Sequence, residues 1–123
     1  MPKRVLDVGN CSPDFAAIKG LLSGHFECTV EQAHSAEDAL ATLRTGKFSL
    51  VTINRKLDCD YSDGLEIIRA IKADATLAKL PVMLITNFPE HQEAAEAAGA
   101  LRGFGKLEFD HPETLAKLMP ILG

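Results

Sequence analysis

Phe48-Ser49-Leu50-Val51-Thr52-Ile53-Asn54 is an apolar run with a polar stop, and its reading decides the fold. A strand with one wet face alternates apolar and polar residues. A near-continuous run marks a strand covered on both faces, as in parallel sheets flanked by helices. On its N-terminal side, Ser35-Ala36-Glu37-Asp38 resembles a capping box and opens a helix that ends near Gly46. On its C-terminal side, an acidic loop leads to Asp63-Gly64, which opens a helix to about Ala73 with Leu65, Ile68 and Ile71 on one face.

The same alternation extends to both ends. Arg4 to Val8 is a first strand. Ser12-Pro13-Asp14 combines an N-cap serine, a proline at the first helical position and a first-turn acid, and predicts a helix to about Ser23 or Gly24. Glu27 to Ala33 is a more polar strand, expected at a sheet edge. Pro81 to Thr86 is a fourth strand. Pro89 opens an alanine-rich helix that stops at Gly99, and Leu101 to Phe104 is a brief fifth strand. Pro112 opens a last helix carrying Leu115, Leu118 and Met119. Strands alternating with helices predict right-handed parallel βαβ units, so the class is α/β. Ligands of open α/β sheets sit at the carboxyl ends of the strands. Here those ends are Gly9, Asn10, Asn54, Thr86 and Lys106.

Composition narrows the function classes. At 123 residues the chain suits one core, read as a single domain over 1–123 with no output domain following it. A net charge of −4 does not suit a nucleic-acid surface. Met1-Pro2-Lys3-Arg4 runs directly into a strand. No stretch reads as a signal peptide or is apolar enough for a membrane span, so a cytoplasmic protein is expected. Cys11, Cys28 and Cys59 have neither metal-ligand nor disulfide-framework spacing. A Gly-rich phosphate loop, a nucleophile with its base and a metal cluster are all missing from the pattern, so an enzyme is not expected.

The order of strand-end residues resembles the receiver domain of response regulators, the CheY-like family of two-component signalling. The resemblance implies a flavodoxin-like doubly wound (βα)5 sandwich with a five-stranded parallel sheet in the order 2-1-3-4-5. It also implies a bacterial phosphorelay setting, in which the position of Asn54 is the aspartate that accepts a phosphoryl group. A carboxylate can form an acyl phosphate, whereas a carboxamide is a poor nucleophile and carries no charge for a metal. Receivers usually end strand one in two acids that hold Mg²⁺. The matching positions are Gly9 and Asn10, which read locally as turn residues. With all three acids replaced, Mg²⁺ binding is expected to be weak or absent, and the chain reads as a pseudo-receiver that works without phosphorylation and needs no cofactor. Thr86 matches the family's phosphoryl-contacting hydroxyl, Lys106 its pairing lysine and Phe104 its switch aromatic, with Leu107 where a proline usually follows.

The implied partner is a protein: a histidine kinase, an output domain or another signalling protein. The loop Arg55 to Gly64 departs from the family, and its Arg55, Lys56 and Tyr61 make it a candidate recognition surface. The helix from Pro89, the strand Leu101–Phe104 and the last helix form the family's usual output face, a candidate homodimer surface near Phe88, Arg102 and Phe109. Two alternatives carry conditions. A small-anion or small-ligand sensor at the strand-end pocket needs Lys106 free. A relocated acceptor needs Asp58 or Asp60 to reach Lys106 and Thr86. Asp58, Asp60 and Asp63 also read as a solvated acidic loop in which Asp63 caps the next helix. Cys11 and Cys59 are expected on the same edge. Asp7, inside the apolar first strand, needs a partner if buried. The four histidines are expected at the surface.

Overall fold

The computed structural model describes residues 2–123. Its elements are β1 (Lys3–Val8), α1 (Ser12–His25), β2 (Cys28–Ala33), α2 (Ala36–Thr45), β3 (Leu50–Asn54), α3 (Gly64–Ala73), β4 (Val82–Ile85), α4 (Pro89–Ala97), β5 (Leu101–Phe104), a 3₁₀ turn (Lys106–Glu108) and α5 (Pro112–Leu122). The five strands form one parallel sheet in the order β2-β1-β3-β4-β5, as the resemblance implied. The polar β2 lies at the edge.

Alternation along each strand feeds two cores. Leu6, Val8, Val51, Ile53, Val82 and Leu84 face α2, α3 and α4, where Leu43, Ile68, Ile71 and Ala95 are buried. Val5, Leu50, Met83, Ile85 and Phe104 face α1 and α5, where Ile18, Leu22, Leu118 and Leu122 complete the second core. Each central strand is therefore covered on both faces, the condition under which apolar runs need no polar side.

Several boundaries differ from expectation for local reasons. Cys11, not Ser12, is the N-cap of α1; its carbonyl accepts from Phe15 N at 2.8 Å, which places Pro13 one position deeper. The helix passes Gly24 to His25, and buried Phe26 closes its last turn by donating to Leu22 O at 2.9 Å. β3 begins at Leu50, because Phe48 lies outside the ladder with its ring 4.4 Å beneath the Arg4 guanidinium. In α3 the fully covered residues are Ile67, Ile68 and Ile71, with Leu65 only partly buried. In α5 they are Thr114, Leu118 and Leu122, and Met119 is exposed. The two side-chain caps form as read: Ser35 accepts from Asp38 N at 3.1 Å and Asp63 from Leu65 N at 2.9 Å.

β4 and β5 meet irregularly. Met83 pairs with Leu101 but Ile85 with Phe104, so two residues of β5 oppose Leu84 alone. Gln92 of α4, buried, repairs the gap. Its amide donates to Leu84 O at 3.0 Å and Thr86 O at 3.3 Å, and its carbonyl accepts from Gly103 N at 2.8 Å.

Candidate functional site

The strand ends converge at one edge of the sheet, and residue 54 sits at its middle. Asn54 Nδ2 donates to Lys56 O at 2.7 Å and to Gly9 O at 3.4 Å. Both partners are carbonyls, which only accept, so the site is built around a donor. A carboxylate here would meet two carbonyl oxygens with no proton between them. The asparagine is thus a functioning tie between the β1 and β3 ends.

Gly9 is fixed by what lies beside it. Its φ is +80°, and a Cβ there would come 2.2 Å from Leu57 Cδ2. Leu57 is fully buried, while its neighbours Lys56 and Asp58 are exposed. The loop folds back through Asp58 N to Gly9 O at 2.8 Å and closes on itself through Leu57 N to Ser62 O and Tyr61 N to Leu57 O. An apolar side chain therefore fills the space that a side chain at position 9 would need. Leu57 was not singled out in the sequence, although it is the one aliphatic residue in an otherwise polar loop.

Asn10 is buried and turned inwards. Its Nδ2 donates to Asp7 Oδ1 at 2.8 Å, and the same oxygen accepts from Thr52 Oγ1 at 2.8 Å. Asp7 thereby has the partners its burial requires. Loss of water nevertheless pushes its pKa up to about 6, against the pull of these two bonds and of Lys106. The family's Mg²⁺ does not fit these residues. Position 9 has no room for a ligand, and the amides of Asn10 and Asn54 turn their donor nitrogens to oxygen acceptors. Among the described residues, no group of three or more His, Cys, Asp or Glu side chains could hold a metal ion.

Lys106 does not stand free. Its Nζ is 2.6 Å from Asp14 Oδ2, and both side chains are about one-third exposed, at 33% and 32%. That bond holds the Asp14 carboxyl below its usual range. The Lys106 charge is therefore compensated from α1, so the free Lys106 that an anion or small-ligand sensor needs is not present. Asp14 read in sequence only as a first-turn acid. Its pairing across the fold joins residues 92 positions apart.

Thr86, almost buried, accepts from Phe88 N at 3.3 Å and lies 3.3 Å from His91 Nδ1. His91 is half-buried against the Phe88 ring, so one histidine is not simply at the surface. A cleft of about 330 Å³ opens here, lined by Asn54, Lys56, Thr86, Phe88, His91 and Lys106 among others. Phe104 is fully buried and meets Phe109 edge-on at 5.9 Å. Phe88 is exposed, and Arg102 is paired with Glu96 at 2.8 Å. In the loop, Arg55 lies 3.6 Å from Asp63, and Tyr61 is 76% exposed at φ +58°. Asp60 accepts from Ser62 and Asp58 is exposed; neither bonds to Lys106 or Thr86. Cys11 contacts Asp14, Cys59 contacts His34 O, and all three cysteines are free.

No family model matches the chain. Over 97 residues it is 28% identical to chemotaxis protein CheY of Pseudomonas aeruginosa, covering 79% of this chain and 77% of that protein. A candidate response regulator from Chloroflexus aurantiacus superposes with a TM-score of 0.86 at 20% identity, covering 98% of both chains. Chemotaxis protein CheY4 of Vibrio cholerae gives a TM-score of 0.80 at 23% identity, covering 99% of this chain and 100% of the other. The strand order, the converging strand ends and these likenesses agree: the chain has the fold of CheY-like response-regulator receiver domains and is similar in sequence to one of them along most of its length.

Proposed function

We propose that this chain is a receiver domain of two-component signalling that acts through protein–protein contacts, with neither Mg²⁺ nor an acyl phosphate at residue 54. The observation that carries the reading is the use of Asn54 as a donor to Lys56 O and Gly9 O. The position is occupied by an interaction that an aspartate could not make. Leu57 against Gly9 supports the same reading, because it fills the neighbouring space with hydrocarbon.

The partner is a histidine kinase, an output domain or another signalling protein. Two surfaces suit it. One is the loop with Arg55, Lys56 and the outward-held Tyr61. A tyrosine kept at positive φ costs about 1 kcal/mol, and such strain concentrates where a side chain must be presented. The other surface is α4, β5 and α5, where Phe88, Leu101 and Leu107 are exposed and a second copy could dock. No described helix is long and apolar enough to cross a membrane.

Incubation with Mg²⁺ and acetyl phosphate, read by intact mass, tests the proposal. The expected result is no phosphoryl adduct on folded protein and no change in the urea midpoint with Mg²⁺. A labile adduct would sink it, and peptide mapping would then show which acid had become the acceptor.

A further inference from the structure

Asp7 Oδ2 and Asn10 Oδ1 are the two buried side-chain atoms without a hydrogen-bond partner in the protein, among the described residues. They belong to side chains that already touch, through Asn10 Nδ2 and Asp7 Oδ1 at 2.8 Å. Both orphans are acceptors, so with Asp7 ionised neither can serve the other. One proton changes that. A carboxylic acid and a primary amide form a ring of two hydrogen bonds, amide N–H to acid oxygen and acid O–H to amide oxygen. The first bond of that ring exists here, and the two orphan atoms are those of the second.

We propose that Asp7 and Asn10 form a proton-operated latch, in which a solvent proton taken up on Asp7 Oδ2 is shared with Asn10 Oδ1 and ties the end of β1 to the turn before α1. Only an O–H bond to Asp7 forms, and no other covalent bond changes. The setting favours uptake. Asp7 is fully buried on the α1/α5 face of the sheet. From α1 it feels the negative Asp14 and from the turn after β5 the positive Lys106; the two are paired with each other and pull its pKa in opposite directions, Lys106 downwards and Asp14 upwards. Thr52 from β3 and its register neighbour Gln32 from β2 are neutral. The one lysine of α5, Lys117, is bonded to Gly103 O. Burial, the largest influence, raises the Asp7 pKa to about 6.

The latch reaches the exposed loop in one step. Asn10 follows Gly9, whose carbonyl accepts from Asp58 N and Asn54 Nδ2, and Asn10 O itself accepts from Gln32 Nε2 at 3.1 Å. Asn10 is thus joined, through the Gly9 carbonyl, to the backbone of the loop that carries Tyr61. The proton would then be an input to this domain, independent of whether residue 54 is ever phosphorylated.

The test compares wild type with Asp7→Asn by urea unfolding from pH 5 to pH 8. The amide of Asp7→Asn places an N–H where the acid proton would be, so this variant is locked in the latched arrangement. A folded-state pKa raised above the unfolded value gives stability that is full below about 4 and lost as pH rises through about 6. The wild-type folding constant, relative to the variant, is expected to fall about tenfold between pH 5 and pH 8. In wild type, the Asn10 side-chain amide resonances should move with the Asp7 carboxyl, at one shared midpoint. A flat difference profile, or Asn10 signals that ignore the Asp7 titration, overturns the latch. If Asp7→Asn does not fold, the wild-type resonances decide by themselves: a shared midpoint above 5 supports the latch, and a lower or absent one refutes it.

Discussion

Gly9→Asp is expected to destabilise the protein by about 3 to 5 kcal/mol and to confer no Mg²⁺ affinity, even combined with Asn54→Asp. The backbone at φ +80° costs a side chain about 1 kcal/mol, less for aspartate than for a branched residue. The larger part is steric. The new Cβ would stand 2.2 Å from Leu57 Cδ2 and 3.1 Å from Leu57 Cα, so Leu57 must leave a fully buried position. Expelling that side chain exposes apolar surface worth about 2 kcal/mol. Asn54→Asp adds a carboxylate opposite two carbonyls. Urea midpoints of Gly9→Ala, Gly9→Asp and the double variant, each with and without Mg²⁺, measure both parts. Similar losses for Gly9→Ala and Gly9→Asp would show that space is the cause. A midpoint that Mg²⁺ raises in the double variant would mean that the acid site can be rebuilt and that Leu57 yields easily.

Gln92→Ala is expected to cost about 3 kcal/mol, a large effect for a residue away from the strand-end site. Truncation leaves the Gly103 N–H, Leu84 O and Thr86 O without the partner that bridges the β4–β5 irregularity. An orphaned buried donor costs about 1 to 3 kcal/mol, and the vacated volume adds to it. Gln92→Leu keeps the volume and removes only the polar groups, so it should recover part of the loss. Gln92→Glu retains the acceptor for Gly103 but loses the donor to the carbonyls while ionised. Its stability should improve as pH falls and the buried carboxyl gains a proton, the sign expected for an acid whose folded-state pKa is raised. Unfolding curves of the three variants at pH 5 and pH 7.5 check this. Equal stability of Gln92→Ala and wild type would show that water replaces the side chain at no loss.

Much of this fold could be read from local pattern because its determinants are local. Apolar runs such as Leu50–Ile53, the Ser35 and Asp63 caps, and the Pro89 and Pro112 starts mark elements by period and backbone chemistry, which depend on near neighbours. Strand order needed the resemblance, and the structure bears it out. The chemistry of the strand ends was legible only as identities. That residues 9, 10 and 54 lack carboxylates is plain from the chain. What stands in their place is a matter of contact between distant segments. Leu57 fills the space beside Gly9, Asp14 holds Lys106 across the fold, Gln92 completes a ladder it does not belong to, and buried Asp7 finds its partners in Asn10 and Thr52. Each depends on which side chain lies within bonding distance once the sheet has closed. Sequence sets the residue types and their periods, and only packing brings a given donor to a given acceptor.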